Sequence, residues 1–404
     1  MTPILKHKIK AIPYGKQDIT QDDIQAVVET LQADFLTQGP QIGLFEEAFA
    51  SYVGSKYAVA VSNGTAALHL SALALGVNEE STVICTPITF AASSNCIKYC
   101  GGNIHFSDIN KDTYLIDIPA IKALLEQAPK GKYAGIIPVD LAGKAVNLEE
   151  LRALADEHDL WIIEDACHAP GGYFIDSAGE KQFCGNGKFA DLSVFSFHPV
   201  KHIACGEGGM ITTNDQDLYE RLLALRSHGI TRDSSLFKND TNIASGEGDQ
   251  ESYPNWYMEM QDLGFNYRLT DFQAALGLSQ LKKANDGLQK RRQIAKKYAE
   301  AFDGKTFIKG QSGSVEGHAY HLYIVEFDKR LELYNHLRES QIYSQIHYIP
   351  THLMPYYKNE GWKKGDLKNA EKYYQHCLSL PMYPTLSNEE QAYVIKTILD
   401  FYNG

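Results

Sequence analysis

Seven short apolar runs, separated by helical or turn signals, constrain this chain more than any other feature of its sequence. They are Tyr57 to Val61, Thr82 to Thr86, Ile104 to Ser107, Ala134 to Val139, Leu160 to Ile163, Leu192 to Phe197 and Gly209 to Thr213. Each has strand length, and stretches of helical periodicity such as Leu148 to His158 alternate with them. That alternation predicts a mostly parallel sheet covered by helices on both faces. The last two runs lie too close together for a helical crossover. They are expected to pair as a hairpin, which makes the sheet mixed.

The flanking segments extend this frame. Residues 18–32 carry Ile24, Val27, Val28 and Leu31 at helical spacing, with acids in the first turn. L-T-Q-G-P (36–40) breaks the chain before a second amphipathic helix, Leu44 to Tyr52. After Tyr57–Val61, a helix is expected from Ala66, with Gly64 and Thr65 at its start. Residues 231–252 are polar, acidic and rich in glycine and serine, and 231–260 is read as a mobile loop. Order returns with a helix capped at Thr270 or Asp271. A long polar helix, about 281–302, then leads into a smaller C-terminal α/β unit. The expected division is therefore a large domain over 1–280, with its N-terminal segment and loop, and a small domain over 281–404. A chain of 404 residues with 44% hydrophobic content is long enough for both.

Charge and cysteine usage exclude several classes. A net charge of −12 and a pI near 5.6, with no basic stripe, argue against a nucleic-acid partner. No run reaches the length of a membrane span, and M-T-P-I-L-K-H-K-I-K lacks an apolar signal region, so the cytoplasm is the expected location. The seven cysteines are odd in number and contain no C-x-x-C pair, so neither a disulfide framework nor a metal site is expected.

The chemistry concentrates at strand ends. The run Leu192–Phe197 breaks at Pro199, presents Lys201, and ends in the glycine-rich turn Gly206 to Gly209. A lysine delivered into such a corner loses solvation, which favours the neutral amine that reacts with carbonyls. N-G-T-A-A-L (63–68) leads a strand end through Gly64 and Thr65 into a helix N-terminus, a phosphate-binding arrangement. W-I-I-E-D-A-C-H (161–168) ends a strand in Asp165, where ligands of open α/β sheets sit, with His168 three residues on. Phe90 follows another strand end, and the Ser196 hydroxyl lies five residues before Lys201. Singly, each has a bland reading as surface lysine, structural turn, helix cap or core ring. Together they supply an amine, an anion, an aromatic plate and a phosphate cup, the set that pyridoxal 5′-phosphate (PLP) requires.

The chain resembles the DegT-type sugar nucleotide aminotransferases, PLP enzymes of fold type I, over almost its whole length. The resemblance rests on L-T-Q-G-P (36–40), S-N-G-T-A-A-L (62–68), T-P-I-T-F-A-A (86–92), I-I-E-D-A-C-H-A (162–169), S-F-H-P-V-K-H (196–202), G-E-G-G-M (206–210) and G-F-N-Y-R-L-T-D-F-Q-A-A-L-G (264–277). I-P-Y-G-K-Q (12–17), W-Y-M-E-M-Q-D-L-G (256–264) and H-Y-I-P-T-H-L-M-P-Y-Y (347–357) are most similar to the pseudaminic acid branch of that family. It implies a mixed seven-stranded sheet and a smaller C-terminal domain. It implies Lys201 as the covalent anchor of PLP and Asp165 as partner of the ring nitrogen. Gly64, Thr65 and Ser196 would hold the phosphate, Phe90 the ring face and His168 the ring hydroxyl. Asn266 would reach the cofactor of a neighbouring subunit in a homodimer. Thr37, Arg226, Arg268, His347 and Tyr348 are candidates for substrate contact. The implied reaction moves the amino group of L-glutamate to C4 of a UDP-linked 4-keto-6-deoxy-N-acetylhexosamine. Family members that deoxygenate sugars carry histidine in place of Lys201. Ala204 and Cys205 depart mildly from the hydroxyl residues of many relatives. The alternatives are a different keto sugar nucleotide, a PLP-binding regulator without turnover, and a UDP-sugar binding module without PLP.

Overall fold

The computed structural model describes residues 11–246, 251–311 and 316–404. The seven runs become seven strands of one sheet: β1 Tyr57–Val61, β2 Thr82–Cys85, β3 Asn103–Phe106, β4 Gly135–Ile137, β5 Trp161–Asp165, β6 Leu192–Ser196 and β7 Gly209–Thr213. Their order is β1-β7-β6-β5-β4-β2-β3. All neighbours are parallel except β7, which runs antiparallel to both β1 and β6. The tight link between β6 and β7 forces that reversal.

The side chains show why both faces are covered. Val59, Val61, Val194 and Ile211 join one buried cluster, while Ala58, Ala60, Phe195 and Met210 join another on the opposite face. This is the period of two that a strand imposes. Helix Gly64–Ala74 packs into the first cluster and helix Pro40–Val53 into the second.

L-T-Q-G-P turns out to be a docking point. Thr270 caps helix Asp271–Lys282, while the carboxylate of Asp271 reaches across to a different helix. Its two oxygens accept the N–H groups of Gly39 (2.7 Å) and Gln41 (2.9 Å), satisfying the start of Pro40–Val53. A Cβ on Gly39 would lie 2.8 Å from that carboxylate, so only glycine admits it. Asp271 is fully buried, and these are bonds to a charged acceptor. Asp271→Ala is expected to cost on the order of 3 kcal/mol, read as a lower urea midpoint. A midpoint within error of the parent would show that the cap carries no weight.

The helix read over 18–32 forms as Gln21–Leu31, but it is the polar side that is buried. Asp23 is fully buried against Ser279 (2.7 Å), Gln280 (2.8 Å) and Lys283 (2.6 Å). Ile24, Val28 and Leu31 face outward, and Ile19, Phe35, Leu36 and Leu44 are exposed as well.

The C-terminal part has its own core around the antiparallel strands Ile308–Gly310, Tyr323–Phe327 and Cys377–Leu380 and helices Arg330–Glu339 and Asn388–Asn403. The long polar helix runs Ala284–Phe302. The short strand Ile12–Pro13 pairs with Ile342–Tyr343, and Ile12 packs into this C-terminal core. Position in sequence therefore assigns that strand to the wrong neighbour. The region read as a loop over 231–260 is folded where it is described. Ile230–Thr231 pairs with Glu259–Met260, and Phe237, Tyr253 and Tyr257 cluster beneath the pair. Residues 247–250, inside that loop, lie outside the described residues. All seven cysteines are unpaired. No helix among the described residues is long and apolar enough to cross a membrane.

Candidate active site

Parallel strands point their carboxyl ends to one edge of the sheet, and a cavity of about 800 Å³ opens there. Its lining includes Gly64, Thr65, Phe90, Asp165, His168, Ser196 and Lys201. Residues spread over 138 positions of sequence thus meet because β1, β2, β5 and β6 all end at the same edge.

The helix N-terminus after β1 is built for an anion. Asn63 caps it by accepting the Ala66 N–H at 2.8 Å, while the N–H groups of Gly64 and Thr65 have no intrahelical acceptor. Two glycines let other chain segments close on this point. A Cβ on Gly64 would lie 3.0 Å from Ser196 Cβ, and one on Gly209 would lie 2.5 Å from the Asn63 carbonyl oxygen. The glycine-rich turn Gly206–Gly209 is therefore what seats β7 beside the helix end.

Asp165 is buried, and its carboxylate accepts Ser93 Oγ at 2.6 Å and the Cys167 N–H at 3.2 Å. Ser93 was not singled out from sequence. It sits one residue into the first turn of helix Ala92–Tyr99, three positions after Phe90, and that spacing was its only signal. Phe90 itself is 65% exposed, which excludes a core role and leaves its ring over the mouth. Burial pushes the Lys201 amine below its usual value, against the pull of Cys167 and Asp165.

A group of imidazoles surrounds the lysine. Burial, followed by the nearby Lys201 charge, holds His168 and His321 well below the usual histidine range, and His347 falls to about 3. These rings are neutral at pH 7. His168 Nδ1 accepts the Ala142 N–H at 3.2 Å, so its proton lies on Nε2, 3.2 Å from Tyr348 Oη. The site thus offers a neutral N–H donor beside the carboxylate.

The other predicted residues lie elsewhere. Tyr348 and His347 line the cavity, but Thr37, Arg226, Arg268 and Asn266 do not. Arg226 is held by Glu46 at 2.5 Å and by the Ala60 carbonyl at 2.8 Å, which removes it from ligand duty in this cavity. Thr37 bridges Thr270, Arg268 bridges Val61, and Asn266 is exposed on a bridge to Ser227. Tyr14 and His321 line the cavity without having been named.

Glu164, adjacent to Asp165, faces the opposite side of the sheet. There it meets Asp140 and Cys184, all three buried, with ligand atoms within 4.8 Å of one another. Glu164 accepts Ser193 Oγ (2.6 Å) and the Gly185 N–H (2.9 Å), whereas Asp140 Oδ2 has no partner among the described residues. Burial and then the Glu164 charge raise the Asp140 carboxyl well above its usual range, so Asp140 keeps a proton. A raised carboxyl pKa means that the unfolded chain releases a proton the folded chain holds. Stability is then full below about pH 4 and falls as pH rises toward the folded value, by about 1.4 kcal/mol per unit. Asp140→Asn keeps the acceptor for Val146 N–H and supplies a fixed donor to Glu164. Its unfolding free energy should fall less between pH 5 and 8 than the parent's; parallel pH curves would show that folding does not hold a proton on Asp140.

The chain is similar to several known proteins along most of its length. A family model described as the DegT/DnrJ/EryC1/StrS aminotransferase family matches residues 17–399. A UDP-4-amino-4,6-dideoxy-N-acetyl-beta-L-altrosamine transaminase from Campylobacter jejuni is 33% identical over 395 residues, 96% of each chain. The solved structure of Helicobacter pylori PseC, an aminotransferase of pseudaminic acid biosynthesis, is 31% identical with a TM-score of 0.83, covering 97% of this chain and 99% of that one. The PLP form of a putative sugar aminotransferase, Spr1654 from Streptococcus pneumoniae, is 29% identical with a TM-score of 0.83, covering 96% and 97%.

Proposed function

The chain belongs to the DegT/DnrJ/EryC1/StrS aminotransferase family, and on that premise we propose that it aminates C4 of a UDP-linked 4-keto-6-deoxy-N-acetylhexosamine, with L-glutamate as donor. It is a PLP-dependent sugar aminotransferase with the fold of that family. The observation that carries the reading is the meeting of Lys201, Asp165 and the Gly64 helix end in one cavity. Similarity along 96% of the Campylobacter jejuni transaminase supports the choice of sugar.

The residues present fit the cofactor. Gly64, Thr65 and Ser196 would hold its phosphate, since the helix end and a hydroxyl converge where a Cβ on Gly64 would fill the space. Asp165 would face the ring nitrogen, His168 the ring hydroxyl through its Nε2 proton, and Phe90 the ring face. Bound there, PLP supplies an aldehyde for amines and a ring that accepts the electron pair left by a departing proton.

The chain's own part is to place groups and move protons. Lys201, its pKa lowered by burial, would move the proton from the donor's Cα to the carbon that carries the cofactor's aldehyde in one half-reaction, and from that carbon to C4 of the sugar in the other. Asp165, fixed by Ser93 and the Cys167 N–H, would keep a positive charge on the ring nitrogen. His168 stays neutral because it is buried, and the Ala142 N–H bonded to Nδ1 orients it so that its Nε2 proton is the one available to the site. His321, His347 and Tyr348 line the cavity beside Lys201.

We read the active unit as a homodimer. Its support is Asn266, exposed and off the cavity of its own chain, and the outward apolar row Ile24, Val28, Leu31, Phe35 and Leu36, a face that water would not leave uncovered. The division into a large domain over 1–280 and a small one over 281–404 is likewise proposed, with strand Ile12–Pro13 joined to the small one. Thr37, Arg268, His347 and Tyr348 are proposed substrate contacts, Thr37 and Arg268 from across the dimer.

The donor can be tested separately from the sugar. PLP-loaded protein mixed with L-glutamate alone should release one 2-oxoglutarate per chain, measured by coupled reduction. Release of pyruvate from alanine with none from glutamate would overturn the assignment.

A further inference from the structure

His321 lines the lysine cavity, and amino transfer as derived above gives it no task. It is buried, and its ring tilts against that of His168 with centroids 4.4 Å apart. Its two nitrogens differ. Nδ1 is occluded and has no hydrogen-bond partner among the described residues. Nε2 has no partner there either, but it is not occluded, so it is the nitrogen that reaches the cavity. Folded proteins leave a buried acceptor bare more readily than a buried N–H donor. The ring proton therefore sits on Nε2, facing the cavity. Burial, followed by the charges of Lys201, His168 and His202, holds the ring well below the usual histidine range, so it stays neutral.

The backbone that carries this ring is tied down on every side. Arg291, fully buried, bonds through Nη1 to the carbonyls of Tyr320 (3.1 Å), His321 (3.2 Å) and Met382 (3.0 Å). The N–H groups of Ala319 and Leu322 bond the carbonyls of Gly143 (2.7 Å) and Ala142 (3.2 Å). That same turn sends the Ala142 N–H to His168, so both imidazoles are set by one piece of chain. Tyr320 is held at φ +50°, a left-handed conformation that bulky residues seldom adopt. Such fixing suits a side chain whose direction matters to the chemistry.

We propose that His321 is a catalytic residue of the sugar half-reaction: its Nε2–H donates to the C4 oxygen of the keto sugar and polarises that carbonyl. The inference rests on the amino-transfer reading, in which Lys201 delivers a proton to C4. The oxygen is one bond from C4, so it lies among the groups that flank Lys201. Of the imidazoles there, His168 has its Nε2 proton assigned to the cofactor's hydroxyl, and His347 bonds Ser379 Oγ through Nδ1 at 2.8 Å. His321 keeps its donor for the substrate. A carboxylate of the amino donor would call for a cation. A neutral N–H suits an uncharged oxygen that gains charge only as the reaction proceeds. As the incoming amine nitrogen bonds to C4, the carbonyl π pair moves onto the oxygen. The amine supplies both protons with which that oxygen leaves as water, and the Nε2 proton stays on the ring.

The test measures the two half-reactions separately on PLP-loaded protein. His321→Phe keeps an aromatic ring and removes the donor, while His321→Gln restores an N–H donor at similar reach. With L-glutamate alone, both variants should release 2-oxoglutarate within about twofold of the parent's rate. Amination of saturating keto sugar in the following single turnover should slow about 10²-fold in His321→Phe, the loss of one donor to a developing oxyanion. His321→Gln should recover most of that rate. A second readout needs no turnover and no variant. Keto sugar labelled with carbon-13 at C4 is bound to the parent while the cofactor is still joined to Lys201, so that no amine reaches it. Its carbonyl carbon should move downfield of the free sugar, and His321→Phe should abolish that shift. Visible absorbance and melting temperatures equal to the parent's separate a lost donor from a lost fold. The proposal fails if the parent gives no downfield shift, if His321→Phe aminates as fast as the parent, or if both its half-reactions slow equally. A parent that aminates no keto sugar nucleotide overturns the amino-transfer reading itself, and this inference with it. If the parent aminates a different keto sugar, the same comparisons decide the matter on that sugar.

Discussion

Lys201→Ala is expected to abolish transamination and the visible absorbance of the cofactor-loaded protein together. Among the described residues, no other lysine lines this cavity. The described rings nearest to it, His168, His321 and His347, are neutral imidazoles held by burial well below their ordinary pKa. Loss of both the covalent attachment and the proton carrier should reduce kcat to background, a fall beyond the about 10²–10⁴ given by one acid–base group. The folding cost is small, because Lys201 is only half-buried and its side chain makes no hydrogen bond among the described residues. The variant should therefore melt near the parent's temperature. Retained absorbance with retained turnover would remove Lys201 from the reaction.

Asp165→Asn should be the next most damaging change. The carboxylate lies on β5, accepts Ser93 Oγ at 2.6 Å, and is the anion proposed to keep the ring nitrogen charged. Asparagine preserves the size and one acceptor, but it removes the charge. We expect kcat to fall by about 10²–10⁴, the contribution of a positioned charged group at a reacting centre. Cofactor retention should weaken less, because the phosphate cup and Lys201 remain. Ser93→Ala should move the same way by a smaller factor, since it loosens the carboxylate without removing it. If Asp165→Asn left kcat within about twofold, charge at that position would play no part in the reaction.

Much of this site was legible because its residues sit at the ends of apolar runs. β1 and β7 match their predicted limits, Tyr57–Val61 and Gly209–Thr213, since each run is flanked by a turn signal. The hairpin reading of β6 and β7 followed from the short link alone, and the antiparallel register bears it out. What sequence did not show are contacts set by tertiary packing. Asp23 was read as a first-turn acid, yet its partners Ser279, Gln280 and Lys283 lie more than 250 positions away. Arg226 was a candidate for substrate contact, but Glu46 holds it. Ile24, Val28 and Leu31 carry a correct helical period, but no surface among the described residues covers them. Periodicity identifies a face and leaves its partner unspecified. The segment 231–260 carries local order that its composition did not reveal. Its polar composition hid a small aromatic cluster held by the Glu259 carboxylate, which accepts the Lys238 N–H at 2.8 Å and the Asn239 N–H at 2.9 Å.

The most direct test of the proposed function is product identification. PLP-loaded protein is incubated with L-glutamate and UDP-2-acetamido-2,6-dideoxy-β-L-arabino-hex-4-ulose, and the sugar product is analysed by mass spectrometry and NMR. The account predicts a UDP-linked 4-amino sugar formed in equal amount to 2-oxoglutarate, with neither product in the Lys201→Ala protein. Unchanged keto sugar, while a different keto sugar nucleotide is aminated under the same conditions, would contradict it.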